Sequence, residues 1–195
     1  MIGSDHRNSE EGDRGMLGVN EALDALLAPY VSVLGLQAPA YRNHCQRVYA
    51  LACLFAERAG APPDKVMLQS LTIASAFHDL GIWTTGGMDY LAASAQLAEA
   101  CLERLGWQAH RPLVAAMIEQ HHRLSPWPDG GWVEFFRLAD WADLTLGLRA
   151  PGLDPGQIAT VRQLFPNAGF HAWLTRALLA YALRHPLAPL PMLRR

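Results

Sequence analysis

The sequence predicts an all-α fold, a compact bundle of several helices. Apolar residues recur at intervals of three and four along most of the chain. Those stretches are punctuated by Gly, Pro, Asp and Asn where helices start and stop. No run alternates with period two for long enough to make a strand.

Asn20 is placed to cap a first helix that runs to about Leu34 and ends at Gly35, with a break near Ala28 where Pro29 interrupts it. A second helix is expected from about Ala40 to Ala59, closed by Gly60. Its apolar stripe contains Val48, Leu51, Ala52 and Phe55, and His44 lies on that stripe. Pro62-Pro63-Asp64 opens a third helix, which is expected to carry Val66, Met67, Leu71, Ala74 and Phe77 inward and to stop at Gly81. Trp83 to Gly87 reads as a loop. A fourth helix is expected over Asp89 to Leu105, closed by Gly106, and a fifth from Arg111-Pro112 to His121-His122. Ser125 to Gly131 is rich in turn residues. A sixth helix spans about Val133 to Leu148, and two more lie near 156–164 and 168–184, after the prolines at 151 and 155.

The 195 residues suit one helical domain, placed at 19–185, between a polar tail at 1–18 read as disordered and a proline-rich tail at 186–195 expected to pack loosely. At 51% hydrophobic, the chain can bury a full core without crosslinks. The net charge is -2 and Lys65 is the only lysine, so no basic face for nucleic acid is implied and a small-molecule substrate is expected. Cys45, Cys53 and Cys101 form no CxxC pair and suit a reducing compartment. No signal-peptide core is seen, and the longest apolar run, Val48 to Ala56, is short of a membrane span. A cytoplasmic protein without membrane association is therefore expected, with a homodimer left open.

Chemistry is concentrated where polar residues interrupt apolar faces. His44 sits on the core stripe of the second helix, and His78-Asp79 ends the apolar third. Asp140 follows Phe135, Phe136, Leu138 and Ala139. A buried aspartate needs a partner, and two carboxylates with two imidazoles point to one shared divalent cation. Mixed nitrogen and oxygen ligands suit Fe, Mn, Co, Ni or Zn better than Ca. Asp143, one turn from Asp140, is the next candidate ligand.

The ordered words His44-Cys45-Gln46-Arg47-Val48, Ala76-Phe77-His78-Asp79-Leu80-Gly81, Met117-Ile118-Glu119-Gln120-His121-His122 and Arg137-Leu138-Ala139-Asp140 resemble the motifs of the HD superfamily of metal-dependent phosphohydrolases. The resemblance spans roughly residues 40 to 146. It implies that His44, His78, Asp79 and Asp140 bind the metal, with Asp79 as the catalytic residue and both Asp79 and Asp140 able to orient the attacking water. His121 and His122 then line the pocket, or bind a second ion. One ion is the expectation: His110 is 11 residues before His121 and cannot share a metal with it along one helix.

Ile82 stands where many members carry Lys after the central glycine, and where some nucleotidases carry an acid. Arg47 and Arg123 are candidates for gripping an anion, and Trp83, Trp127 and Trp132 for stacking on a ring. The loops at 83–88 and 123–131 are expected to frame the site. The leading expectation is hydrolysis of a small phosphoester, such as a nucleotide. The alternatives are cyanamide hydratase-like or other non-phosphate chemistry, di-iron oxidation, and a non-catalytic binding module.

Overall fold

A computed structural model describes residues 18–193, and the expected disorder of the N-terminal tail falls almost wholly outside them. Helix α1, Glu21–Leu27, begins where the Asn20 side chain accepts the Leu23 N–H at 3.0 Å. The break foreseen near Ala28 is a 3₁₀ turn, Ala28–Tyr30, with Pro29 inside it. After it come α2, Val31–Leu34, a second 3₁₀ turn, Gly35–Gln37, and then α3, Ala38–Arg58. By length and composition, Glu21–Arg58 holds an 18-residue stretch apolar enough to cross a membrane, of which 17% is buried. It is no straight rod, however: Gly35 has φ 55° and ψ −130° and bends the path before α3 enters the core.

Helix α3 is the axis of the fold. His44, Cys45, Val48, Leu51, Ala52 and Phe55 are all buried, so the helix is enclosed on more than one side. It packs most extensively along α8, Gly131–Leu144, and also against α4, Lys65–Phe77. Asp64 caps α4 by accepting the Met67 N–H at 2.8 Å. Helices α6, Leu91–Leu105, and α7, Arg111–Gln120, pair with each other, and both lean on α4. Helices α9, Pro155–Leu164, and α10, Phe170–Arg184, close the remaining side of α3. Phe77, Phe136, Phe165 and Phe170 meet in one core, and burying each contributes roughly 1.5–3 kcal/mol.

Three expectations change. Trp83 to Gly87 is not a loop throughout: α5, Gly81–Thr85, is helical, and only Gly86 turns left-handed at φ 70°. Tertiary contact outweighs the breaker composition here. The Gly81 N–H donates to Ser94 Oγ at 2.9 Å, and Thr85 Oγ1 donates back to the Gly81 carbonyl at 2.8 Å. The sixth expected helix is shifted, starting at Gly131 and ending at Leu144 rather than Leu148, because Leu146 takes a left-handed φ of 58°. The proline-rich tail packs loosely only in part. Leu187 is fully exposed, but Met192 is buried with Ile82, Met88, Tyr90 and Leu91 in a second apolar cluster.

Candidate metal centre

Four segments converge on one buried point. His44 comes from the middle of α3, and His78-Asp79 from the residues just past α4. His121-His122 follow α7, and Asp140 and Asp143 sit on α8. All seven side chains are buried.

Helix ends explain how two of the histidines are aimed. The last carbonyls of a helix lack intrahelical partners. His78 Nδ1 donates to the Ser75 carbonyl at 3.0 Å, and His121 Nδ1 donates to the Ile118 carbonyl at 2.6 Å. Each bond consumes the Nδ1 proton and leaves a bare Nε2 facing the centre. His44 is oriented through a carboxylate instead: its Nδ1 donates to Asp143 Oδ2 at 2.7 Å, which turns Nε2 toward the centre. Such outer partners fix ring orientation and raise ligand basicity.

His44 Nε2 and His78 Nε2 stand 2.9 Å apart. Asp79 Oδ2 is 3.6 Å from each, and Asp140 Oδ1 is 3.7 and 3.8 Å away. The second oxygens of the two carboxylates face the other way. Asp79 Oδ1 lies 3.2 Å from His121 Nε2, and Asp140 Oδ2 lies 3.5 Å from His122 Nδ1. Three overlapping groups, His44–His78–Asp140, His78–Asp79–His121 and His121–His122–Asp140, have the spacing to hold a metal ion. The sequence-expected quartet is thus brought together, with the His-His pair against it.

Asp140 has no hydrogen-bond partner on either carboxylate oxygen. A buried carboxylate left so is expensive unless a cation joins it. Burial and the Asp79 charge push Asp140 up to about 7. Burial opposes charge on His44, but Asp143 and Asp79 outweigh it and lift the imidazole to about 9. Burial pulls His78 down to about 3 and His122 well below its ordinary value, so both are neutral donors of a lone pair. Burial also acts against ionised Asp79, yet the His78 and His121 rings hold its carboxyl well below the carboxylate range. Clustered carboxylates, one of them unpartnered, with the neutral His78 and His122 imidazoles are a donor set that suits a divalent transition metal, whose binding would displace the proton that His44 otherwise holds.

Asp143 has another role than ligand. Besides His44 it accepts from Arg47, Nε at 2.5 Å and Nη2 at 2.9 Å. Arg47 also donates to the Phe165 carbonyl at 2.9 Å, so its guanidinium is committed inside the core rather than offered to an anion. Arg123 stacks over Trp127 at 5.9 Å and donates to Ser125 Oγ at 3.0 Å. Trp83 lies flat on Trp173 at 4.5 Å and against Tyr41, while Trp132 packs edge-on to Phe135. None of these arginines and tryptophans lines the cavity that adjoins the cluster. His110 is remote, bonded to Ser70 Oγ at 2.8 Å.

Three contributors were missed in the sequence. The Tyr90 hydroxyl donates to Asp79 Oδ1 at 2.6 Å, and its oxygen accepts from His122 Nε2 at 2.7 Å. That pair of bonds leaves His122 Nδ1 bare and turned toward Asp140. Tyr90 reads as an ordinary core aromatic, and only the α5–α6 fold brings it to the aspartate. Trp141 and His171 join Tyr90, Asp79 and His122 around a cavity of about 300 Å³. A larger cavity of about 660 Å³, between α1, α4 and the end of α6, includes none of these histidines or aspartates.

No protein-family model, no curated protein and no solved structure matches this chain. Fold and site alone define its class: an all-α protein with a buried His/Asp cluster able to hold metal.

Proposed function

We propose that this chain is a metal-dependent hydrolase of the HD type, with a divalent transition metal held by His44, His78, Asp79 and Asp140. The supporting observation is Asp140, a buried carboxylate with both oxygens unpartnered and imidazole nitrogens on either side. His44, His78, Asp79 and Asp140 would hold the ion, which when bound would lower the pKa of water toward about 7 and polarise the bond to be broken. The residues supply the rest. Asp79 presents one oxygen to the quartet and the other to the cavity, where Tyr90 anchors it by donating a proton. Asp143 and Arg47 keep the His44 ring in its binding tautomer. Apolar side chains from α10 and the C-terminal segment line the cavity next to the cluster.

One ion per chain is the working reading. The outward oxygens of Asp79 and Asp140, with His121 and His122, provide for a second. The phosphoester expected from the motif resemblance draws on that resemblance alone, since Arg47 and Arg123 are engaged elsewhere. Non-phosphate hydrolysis or hydration at the same ion is the second reading. It is favoured because no lysine or arginine lines the cavity among the described residues. A small-molecule substrate and a cytoplasmic setting belong to the same proposal. Protein purified without chelator, loaded in turn with Mn, Co, Ni, Fe and Zn, is to be assayed against phosphomonoesters, nucleotides, neutral esters, amides and nitriles. Turnover of one class that is abolished by His78→Ala supports the proposal. No turnover with any metal contradicts it.

A further inference from the structure

We infer that the cavity beside the His/Asp cluster binds an uncharged molecule with a polar head and an apolar body. The bond that reacts and the charge balance at the polar end rest on the hydrolase reading above, while the preference for an uncharged, largely apolar body is argued from the cavity lining. Its polar end is formed by Asp79, Tyr90 and His122. Beyond them the walls are mainly apolar, with His171 and Thr175 as the polar exceptions: Ile82 and Met88 from α5 and its following turn, Leu174 and Leu178 from α10, and Met192 from the end of the chain. At about 300 Å³ it is at the small end of ligand sites, and it has the apolar lining with few polar groups that such sites show.

Charge decides between ligand classes. Asp79, Asp140 and Asp143 carry three negative charges in the centre, and Arg47 is the buried cation that answers them. With His44 bound as a neutral ligand, one divalent ion would bring that set to neutrality. A phosphomonoester dianion would then enter a largely apolar space with no further cation among the described lining residues. Burying an uncompensated charge is strongly unfavourable, whereas a neutral head needs only a few hydrogen bonds. Tyr90 and His122 already bond each other and Asp79, so that end offers the remaining lone pair of the Tyr90 oxygen, which suits an amide-type N–H, and the Thr175 hydroxyl lies further along. Apolar atoms of the body gain roughly 25 cal/mol for each Å² removed from water, which rewards a chain or ring along α10.

The test uses hexanamide as the neutral probe and phenyl phosphate as the anionic one, each titrated into metal-loaded protein by ligand-observed NMR. Hexanamide is expected to bind at least tenfold more tightly than phenyl phosphate. Leu178→Lys is expected to weaken hexanamide at least tenfold and to strengthen phenyl phosphate, with Leu178→Ala in between. Leu178 is half-buried, and far-UV circular dichroism checks that both variants fold. Tighter binding of phenyl phosphate, unchanged hexanamide affinity in Leu178→Lys, or no binding of hexanamide overturns the inference. The two proposals fail separately. Hexanamide that binds protein unable to retain metal leaves this inference standing without the hydrolase. Metal-loaded protein that hydrolyses phosphomonoesters and ignores hexanamide does the reverse.

Discussion

Asp140 and Tyr90 sit on opposite sides of the same electrostatic problem. Asp140 brings a charge with no partner, and Tyr90 supplies a hydrogen bond that steadies Asp79. Without metal, Asp140 is pushed up to about 7 from 3.8. Its folded form therefore binds more protons than its unfolded form between those values. Its contribution makes metal-free protein lose stability as pH rises through that window. Asp140→Asn should lack that slope and fail to hold metal, as thermal melts with chelator across pH 4 to 8 and metal analysis would show. Tyr90→Phe should keep the fold within about 1–3 kcal/mol but lower metal affinity or kcat roughly 10- to 100-fold. Unchanged metal affinity and turnover in Tyr90→Phe would remove it from the site. The quartet was legible because His and Asp interrupt apolar stripes. Tyr90 and the orienting role of Asp143 were not, because a tyrosine fits any core and an orienting bond exists only across elements.

Among the elements, the helices with strong periodicity and clear caps came out within a few residues of their expected spans, as α4 with Asp64 and α6 with Gly106 illustrate. Helix α5 did not, since Gly-Ile-Trp-Thr-Thr carries weak local preference and is shaped by α6. Gly81 is the contact point. A Cβ there would come within 2.5 Å of the Tyr90 carbonyl and 2.8 Å of Ser94 Oγ. Gly81→Ala should force α5 from α6, costing about 1–3 kcal/mol as an overpacked site. Because Tyr90 starts α6, the variant should also lose metal affinity. Urea denaturation and metal titration check both, and wild-type values in both would show that this approach is not needed.

For the whole molecule, α3 and α8 are joined by packing and by the buried Arg47–Asp143 pair, which also closes over the carbonyl of Phe165. Removing one member of such a pair typically costs about 3–5 kcal/mol, so Arg47→Ala should be among the more damaging core changes when measured by denaturant unfolding. A cost below 1 kcal/mol would mean the pair is no strut. The all-α class was plain from periodicity. The role of the chain's end was not: Met192 covers an apolar cluster that no local pattern announces. The proposed centre is a single cation shared by four side chains from three helical segments. Crystals of protein purified without chelator, measured for anomalous scattering, test it most directly. A peak about 2.0–2.2 Å from His44 Nε2, His78 Nε2, Asp79 and Asp140 is the expected result. Full-length protein with no peak there, and with these side chains bonded only to one another or to water, would contradict it.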